Sequence, residues 1–305
     1  VNSSPVEFGL DLGAAGARLV GQHPRCEVLC RQRMQPGNEP GKQEQRPESG
    51  RVETMPVWLQ ALFWGTLAGA ALVLGSALAW WWSIPAKFVS LIMSFGAGVL
   101  ISALAFDLVD EAARGGGLWP TATGFLAGAV AFVTANALLA QRGAKHRKRS
   151  GGKQPSEKES PGSGTATAVG ALLDGIPESV VLGLGLVAGG AVSPAILAAI
   201  FISNVPEGLS STAGMKKAGR SAGYVFGVWG GIAVVSGVAS LVGYVSLQSA
   251  SVGLIAFITA TAAGAILAML ADTMIPEAFE EHHMLTGLFA AVGFLTAFTI
   301  SRVGA

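Results

Sequence analysis

Apolar residues along this chain collect into eight runs, near Val57–Trp82, Phe88–Ala113, Leu118–Ala140, Ala166–Ala188, Pro194–Met215, Ser221–Leu247, Ser251–Phe279 and Leu285–Val303. Short polar breaks and one long polar island separate them. A helix needs about 20 residues to cross a hydrocarbon core about 30 Å thick, and each run has about that length. Continuous helix is the expected form, because an open strand in lipid leaves backbone N–H and C=O groups unpaired. The pattern therefore predicts an all-α integral membrane protein with eight transmembrane helices. Composition agrees: 51% hydrophobic against 13% charged residues excludes an ordinary soluble domain. The 42 glycines suit closely packed spans.

The polar segments set the organisation. Residues 1–54, rich in Arg, Gln, Glu, Pro and Gly, contain no apolar run long enough to span and read as a disordered tail. Met55 stands just before the first run, so a start site there is the alternative to a genuine tail. Residues 55–305 then form one eight-helix domain. Within it, the island "QRGAKHRKRSGGKQPSEKESPGSG", residues 141–164, reads as a disordered loop whose basic run orients the chain rather than binding nucleic acid. If that loop is cytoplasmic, Lys87, Lys216, Lys217 and Arg220 share its side, while the opposite loops hold only Arg114 and Arg302. The positive-inside rule then places both termini outside the cytoplasm in a multi-pass cell-membrane protein, with lipid as an obligatory partner. Trp80–Trp82 read as an interfacial anchor, and the two cysteines, Cys26 and Cys30, both lie in the tail.

Charge inside the runs is one-sided. Apart from Arg302, next to the end of the last run, they contain no Lys, Arg or His, yet they hold eight acids: Asp107, Asp110, Glu111, Asp174, Glu178, Glu207, Asp272 and Glu277. A carboxylate at the bilayer centre costs on the order of 2.5–3.5 kcal/mol even on a lenient insertion scale, so such groups face protein or water and mark a pathway. Asp110, Glu111 and Glu277 approach the ends of their runs, where a headgroup-layer position explains them equally well. Asp174, Glu178 and Glu207 lie deeper, and with no basic partner inside the spans the expected partner is a mobile cation.

Spacing supports that reading. Asp174 and Glu178 are i, i+4 and share a helix face; Ser203 and Glu207 repeat the relation, and Asn204 is i, i+3 from Glu207. Pro177 and Pro206 precede Glu178 and Glu207, and each removes a hydrogen bond to the carbonyl four residues earlier. Kinks and spare carbonyl oxygens are expected there. Carboxylates from two helices with an amide oxygen would suit a divalent metal. A weak internal symmetry accompanies them: Gly98 and Glu111 stand thirteen residues apart, as do Gly264 and Glu277, which hints at an inverted repeat.

Taken together, these stretches resemble the ZIP (Zrt-, Irt-like protein) family of divalent metal transporters. The resemblance rests on Asp174-Gly175-Ile176-Pro177-Glu178-Ser179, on Ser203-Asn204-Val205-Pro206-Glu207-Gly208, on "FDLVDEA" at Phe106–Ala112 and on "LADTMIPEA" at Leu270–Ala278, in order over residues 57–303. It implies an eight-helix bundle, non-cytoplasmic termini, a variable loop between helices three and four, and metal ligands at Asp174, Glu178, Asn204 and Glu207. Ser203, Asp107, Asp110, Glu111, Asp272, Glu277, His282 and His283 become pathway or secondary metal positions. A solvated helix end explains the two histidines about as well.

The departures bear on chemistry. Asp174 and Ser203 stand where the family often has histidine, Gly175 replaces an asparagine, and the sixth run carries no acid, which puts a two-metal site in doubt. Oxygen ligands favour harder ions, so zinc is the expected substrate with manganese or iron better tolerated. The expected function is uptake of a divalent cation as substrate, with no resident cofactor and no enzymatic activity. The alternatives are a proton-coupled carrier of another solute and a metal-binding membrane protein without transport. A homodimer is one open assembly state.

Overall fold

A computed structural model of the chain describes residues 55–150, 153–189, 192–280 and 285–303. The tail of residues 1–54 lies outside them, as do His282 and His283. The described residues are mostly helical, with no strand among them. Seven helices are long and apolar enough to cross a membrane: α1 Val57–Trp81, α2 Ala86–Gly116, α3 Leu118–Ala144, α4 Ser163–Gly189, α6 Ala222–Leu247, α7 Val252–Ala278 and α8 Thr286–Val303. The helix at the fifth predicted span, α5 Pro194–Lys217, has the length but falls short in hydropathy. Its lower apolarity comes from Ser203, Asn204, Glu207, Ser210, Ser211 and Thr212, all of which are buried against protein.

Helix ends follow local chemistry. The Ser193, Ser221 and Ser251 side chains accept from the backbone N–H groups of Ile196, Tyr224 and Leu254, capping α5, α6 and α7. Pro85 precedes α2, and Gly117, at φ 80°, makes the tight turn from α2 into α3. The helix irregularities fall elsewhere than predicted. Pro177 and Pro206 sit inside unbroken α4 and α5, whereas π turns occur at Leu104–Val109 in α2, Ala140–Ala144 in α3 and Leu270–Met274 in α7. Two of these π turns carry Asp107 and Asp272, so the widened backbone lies beside acids that the proline argument did not address.

Packing is pairwise and close. α1 lies on α5 and α6, α4 on α6, α2 on α8, and α3 on α7. Glycine permits the closest approaches: Gly98 faces the Ala290 carbonyl across α2 and α8, and Gly264 faces the Phe125 carbonyl across α7 and α3. Gly293 against Phe95 and Gly128 against Thr261 repeat the arrangement in the same two interfaces. The main apolar core runs through Met93, Leu100, Leu182, Ile200, Ile266 and Met274. Trp81 and Trp82 remain exposed beyond it, as an interfacial anchor requires.

Residues 145–164 depart from the expectation of a disordered loop. In the described part, Arg147, Lys148, Ser150, Gln154 and Ser163 are buried, and the segment packs against α4, α5 and α7. Arg220 ties its far portion through Glu157, at 2.6 Å.

The glycine contacts yield a direct expectation. Gly98→Ala places a methyl against the Ala290 carbonyl and should lower the thermal stability of the detergent-purified protein, by about 1–3 kcal/mol for an overpacked core position. Gly230→Ala meets nothing within 4 Å and should be neutral or slightly stabilising. Equal melting temperatures for the two variants would contradict the packing.

Candidate cation site

Helical periodicity puts Asp174 and Glu178 on one face of α4, and both are buried, at 1% and 2% exposure. Glu207 of α5 is buried as well, at 3%. The three lie within electrostatic reach of one another, as the spacing predicts. They are not left to one another, however.

Arg147 and Lys148 enter this group from the linker and are themselves 1% and 2% exposed. The Arg147 guanidinium makes a two-pronged contact with Asp174, Nε to Oδ2 at 2.8 Å and Nη2 to Oδ1 at 2.7 Å. The Lys148 ammonium lies 2.9 Å from Glu207 Oε1 and 3.4 Å from Asp174 Oδ2. This corrects the expectation that no basic side chain neutralises the buried acids. The helices themselves place no basic side chain on Asp174 or Glu207 among the described residues, but the linker supplies two. Glu178 has no ion-pair partner of this kind, and its Oε1 is buried without a hydrogen bond; Lys148 Nζ is held by its two ion pairs and likewise makes no hydrogen bond.

The segment carrying these cations has a prepared seat. Ser211 Oγ and Gln154 Nε2 donate to the Arg147 carbonyl at 2.7 and 2.8 Å, and Ser210 Oγ donates to that of Lys148 at 2.6 Å. Gln154 also reaches the Arg149 carbonyl at 3.2 Å, and Lys217 Nζ reaches that of Ser150 at 2.8 Å. Gly170 of α4 has no side chain where Arg147 passes; a methyl there would come within 2.6 Å of Cδ. Four successive carbonyls of an irregular segment are thus satisfied, which a buried backbone demands.

The remaining predicted positions divide. Asp272 accepts from Asn136 Nδ2 at 3.0 Å, and Asn136 Oδ1 accepts from Arg147 Nη1 at 2.7 Å, so both belong to the same network. Glu277 receives the Ser150 backbone N–H at 2.9 Å, the Ser150 hydroxyl and Ser210 Oγ at 3.0 Å. It therefore anchors the linker. Asn204 donates to the Ala68 carbonyl of α1 at 2.9 Å, and Ser203 donates to Ile200 of its own helix at 3.0 Å. Neither hydrogen bond is to an acid of the site.

At the other end of α2, Asp107, Asp110 and Glu111 line a surface cleft of about 470 Å³ with Arg114 and Ser193. Asp110 pairs with Arg114 at 2.7 Å, and Asp107 accepts from Ser301 at 2.6 Å. Among the described residues, no three His, Cys, Asp or Glu side chains are gathered tightly enough to hold a metal ion. With Lys148 wedged between Asp174 and Glu207, that spacing follows.

Arg147, Lys148, Asn136, Ser150 and Ser210 are not announced by the acids or by the charges inside the spans. The usable signal was the position of "HRKR", only two residues after the π turn that ends α3, within reach of buried acids lacking a countercharge. No protein-family model matches this chain, and no curated protein matches it.

Breaking a buried pair from one side leaves the other charge uncompensated, at a cost of about 3–5 kcal/mol. Arg147→Met should therefore lower the thermal stability of the metal-free protein markedly, and adding Asp174→Asn should recover most of the loss. A double-mutant cycle with strictly additive losses would mean that the pair contributes nothing as a pair.

Proposed function

We propose that this protein carries a divalent metal cation across a membrane, as a transporter of the ZIP type. The observation that supports it most is the group of three buried carboxylates, Asp174, Glu178 and Glu207, gathered around positive charge with one Glu178 oxygen unpartnered. Acids at this depth are costly unless a cation accompanies them. In this reading α5 is the eighth crossing; its polar face is buried toward the site, so it does not need the hydropathy of a lipid-facing helix.

The reciprocal glycine contacts support an inverted repeat. The α2–α8 interface is to α7–α3 what Gly98 on Ala290 is to Gly264 on Phe125, and the π turns of α2 and α7 fall six residues after Gly98 and Gly264. Repeat-related helices surrounding a central charged site are the architecture that alternating access uses. The acid-lined cleft of Asp107, Asp110 and Glu111 would gather cations on the side opposite the linker, with delivery toward the cytoplasm at the linker end. Oxygen ligands without imidazole favour manganese and iron relative to a histidine-bearing site, while zinc remains a substrate.

Uptake of radiolabelled zinc or manganese into proteoliposomes tests the reading. Glu178→Ala and Glu207→Ala should each abolish uptake while folded protein remains in the membrane, and unchanged uptake in both would refute the site. In competition among zinc, manganese and ferrous iron, Asp174→His should shift preference toward zinc; identical discrimination would remove the selectivity argument.

A further inference from the structure

Two side-chain cations of the linker occupy the oxygens that a transported ion would need. Together Arg147 and Lys148 bring two positive charges to Asp174 and Glu207, the charge of one divalent cation. Replacement of the pair by such an ion leaves the electrostatic balance of the buried site unchanged. It also gives the bare Glu178 oxygen a partner, which the linker does not supply.

We infer that residues 147–150 are an autoinhibitory plug, seated in the carboxylate site of the resting protein and withdrawn when a divalent cation takes its place. This rests on the divalent-cation reading above. The segment is bounded by two glycines in the left-handed region, Gly143 at φ 99° and Gly162 at φ 85°, which let the chain turn sharply out of α3 and into α4. Between them, the plug bonds to the helices through side chains, its own carbonyls and the Ser150 N–H, all groups that water can satisfy once the segment leaves.

Its outer edge is held by a latch on α7. Arg149 Nη1 contacts Glu280 Oε2 at 2.6 Å and the Pro276 carbonyl at 2.6 Å, and Lys153 contacts Glu280 Oε1 at 2.6 Å. The latch lies away from Asp174 and Glu207, so it can be weakened without changing the cation site. The Glu280 carboxyl is held below the usual glutamate range: burial opposes this, but the Lys153, Glu277 and Arg149 contacts outweigh it.

A plug that competes for the site lowers apparent affinity by the fraction of molecules it blocks. Manganese binding to the full chain in detergent micelles, measured by equilibrium dialysis with manganese as the only added metal, should therefore tighten by about tenfold or more in Arg147→Gln/Lys148→Gln. Arg149→Gln, which removes the latch and a 3.8 Å contact with Glu277 but touches neither Asp174 nor Glu207, should tighten it by a smaller factor, and it keeps the question answerable if the double variant does not fold. Equal affinity in wild type and both variants, or weaker binding in folded variants, would overturn the plug while leaving the carboxylate site standing. Absence of manganese binding from all three proteins would overturn the cation site and the plug with it.

Discussion

The paired contact of Arg147 and Lys148 with Asp174 and Glu207 is the constraint on which the rest of the molecule depends. Charges this deeply buried carry a large desolvation penalty, repaid only by close geometry and satisfied hydrogen bonds. The surroundings follow from that requirement. Gly170 leaves room for the guanidinium, Asn136 bridges it to Asp272, and Ser210, Ser211 and Gln154 satisfy the backbone that carries it. α5 gives up apolar character for the same reason, since its buried face has to meet carbonyls and charges.

This makes the linker part of the bundle's electrostatics. A polar loop outside the spans is ordinarily free to vary, because few buried groups depend on it. Here a buried site would be left short of positive charge without it. Glu277 ties the same segment to α7 through Ser150, and Glu280 through Arg149 and Lys153. Movement of α7 relative to α4 and α5 would therefore be felt by the plug, which offers a physical route from helix rearrangement to site occupancy.

Seven long apolar helices were readable because length and apolarity carry the signal directly, and the burial of Asp174, Glu178 and Glu207 was readable from their place within runs. The π turns were not, since Leu104–Val109 and Leu270–Met274 contain no proline or glycine to announce them. The prolines pointed to Glu178 and Glu207, which are buried, through a backbone break that α4 and α5 do not show. The larger omission was the cation source. Lys148 is separated from Glu207 by 59 positions, and no local pattern joins a basic loop to an acid that far along the chain. Asn204 has a role its i, i+3 spacing from Glu207 did not announce: its Nδ2 donates to the Ala68 carbonyl of α1.

The central claim is that one buried set of oxygens serves either the linker cations or a divalent ion. An anomalous scattering map from crystals of the full chain soaked in manganese tests it most directly. The account predicts a manganese peak among Asp174, Glu178 and Glu207, with the Arg147 and Lys148 side chains gone from the site. A manganese peak confined to other residues, with Lys148 still between Asp174 and Glu207, would contradict it.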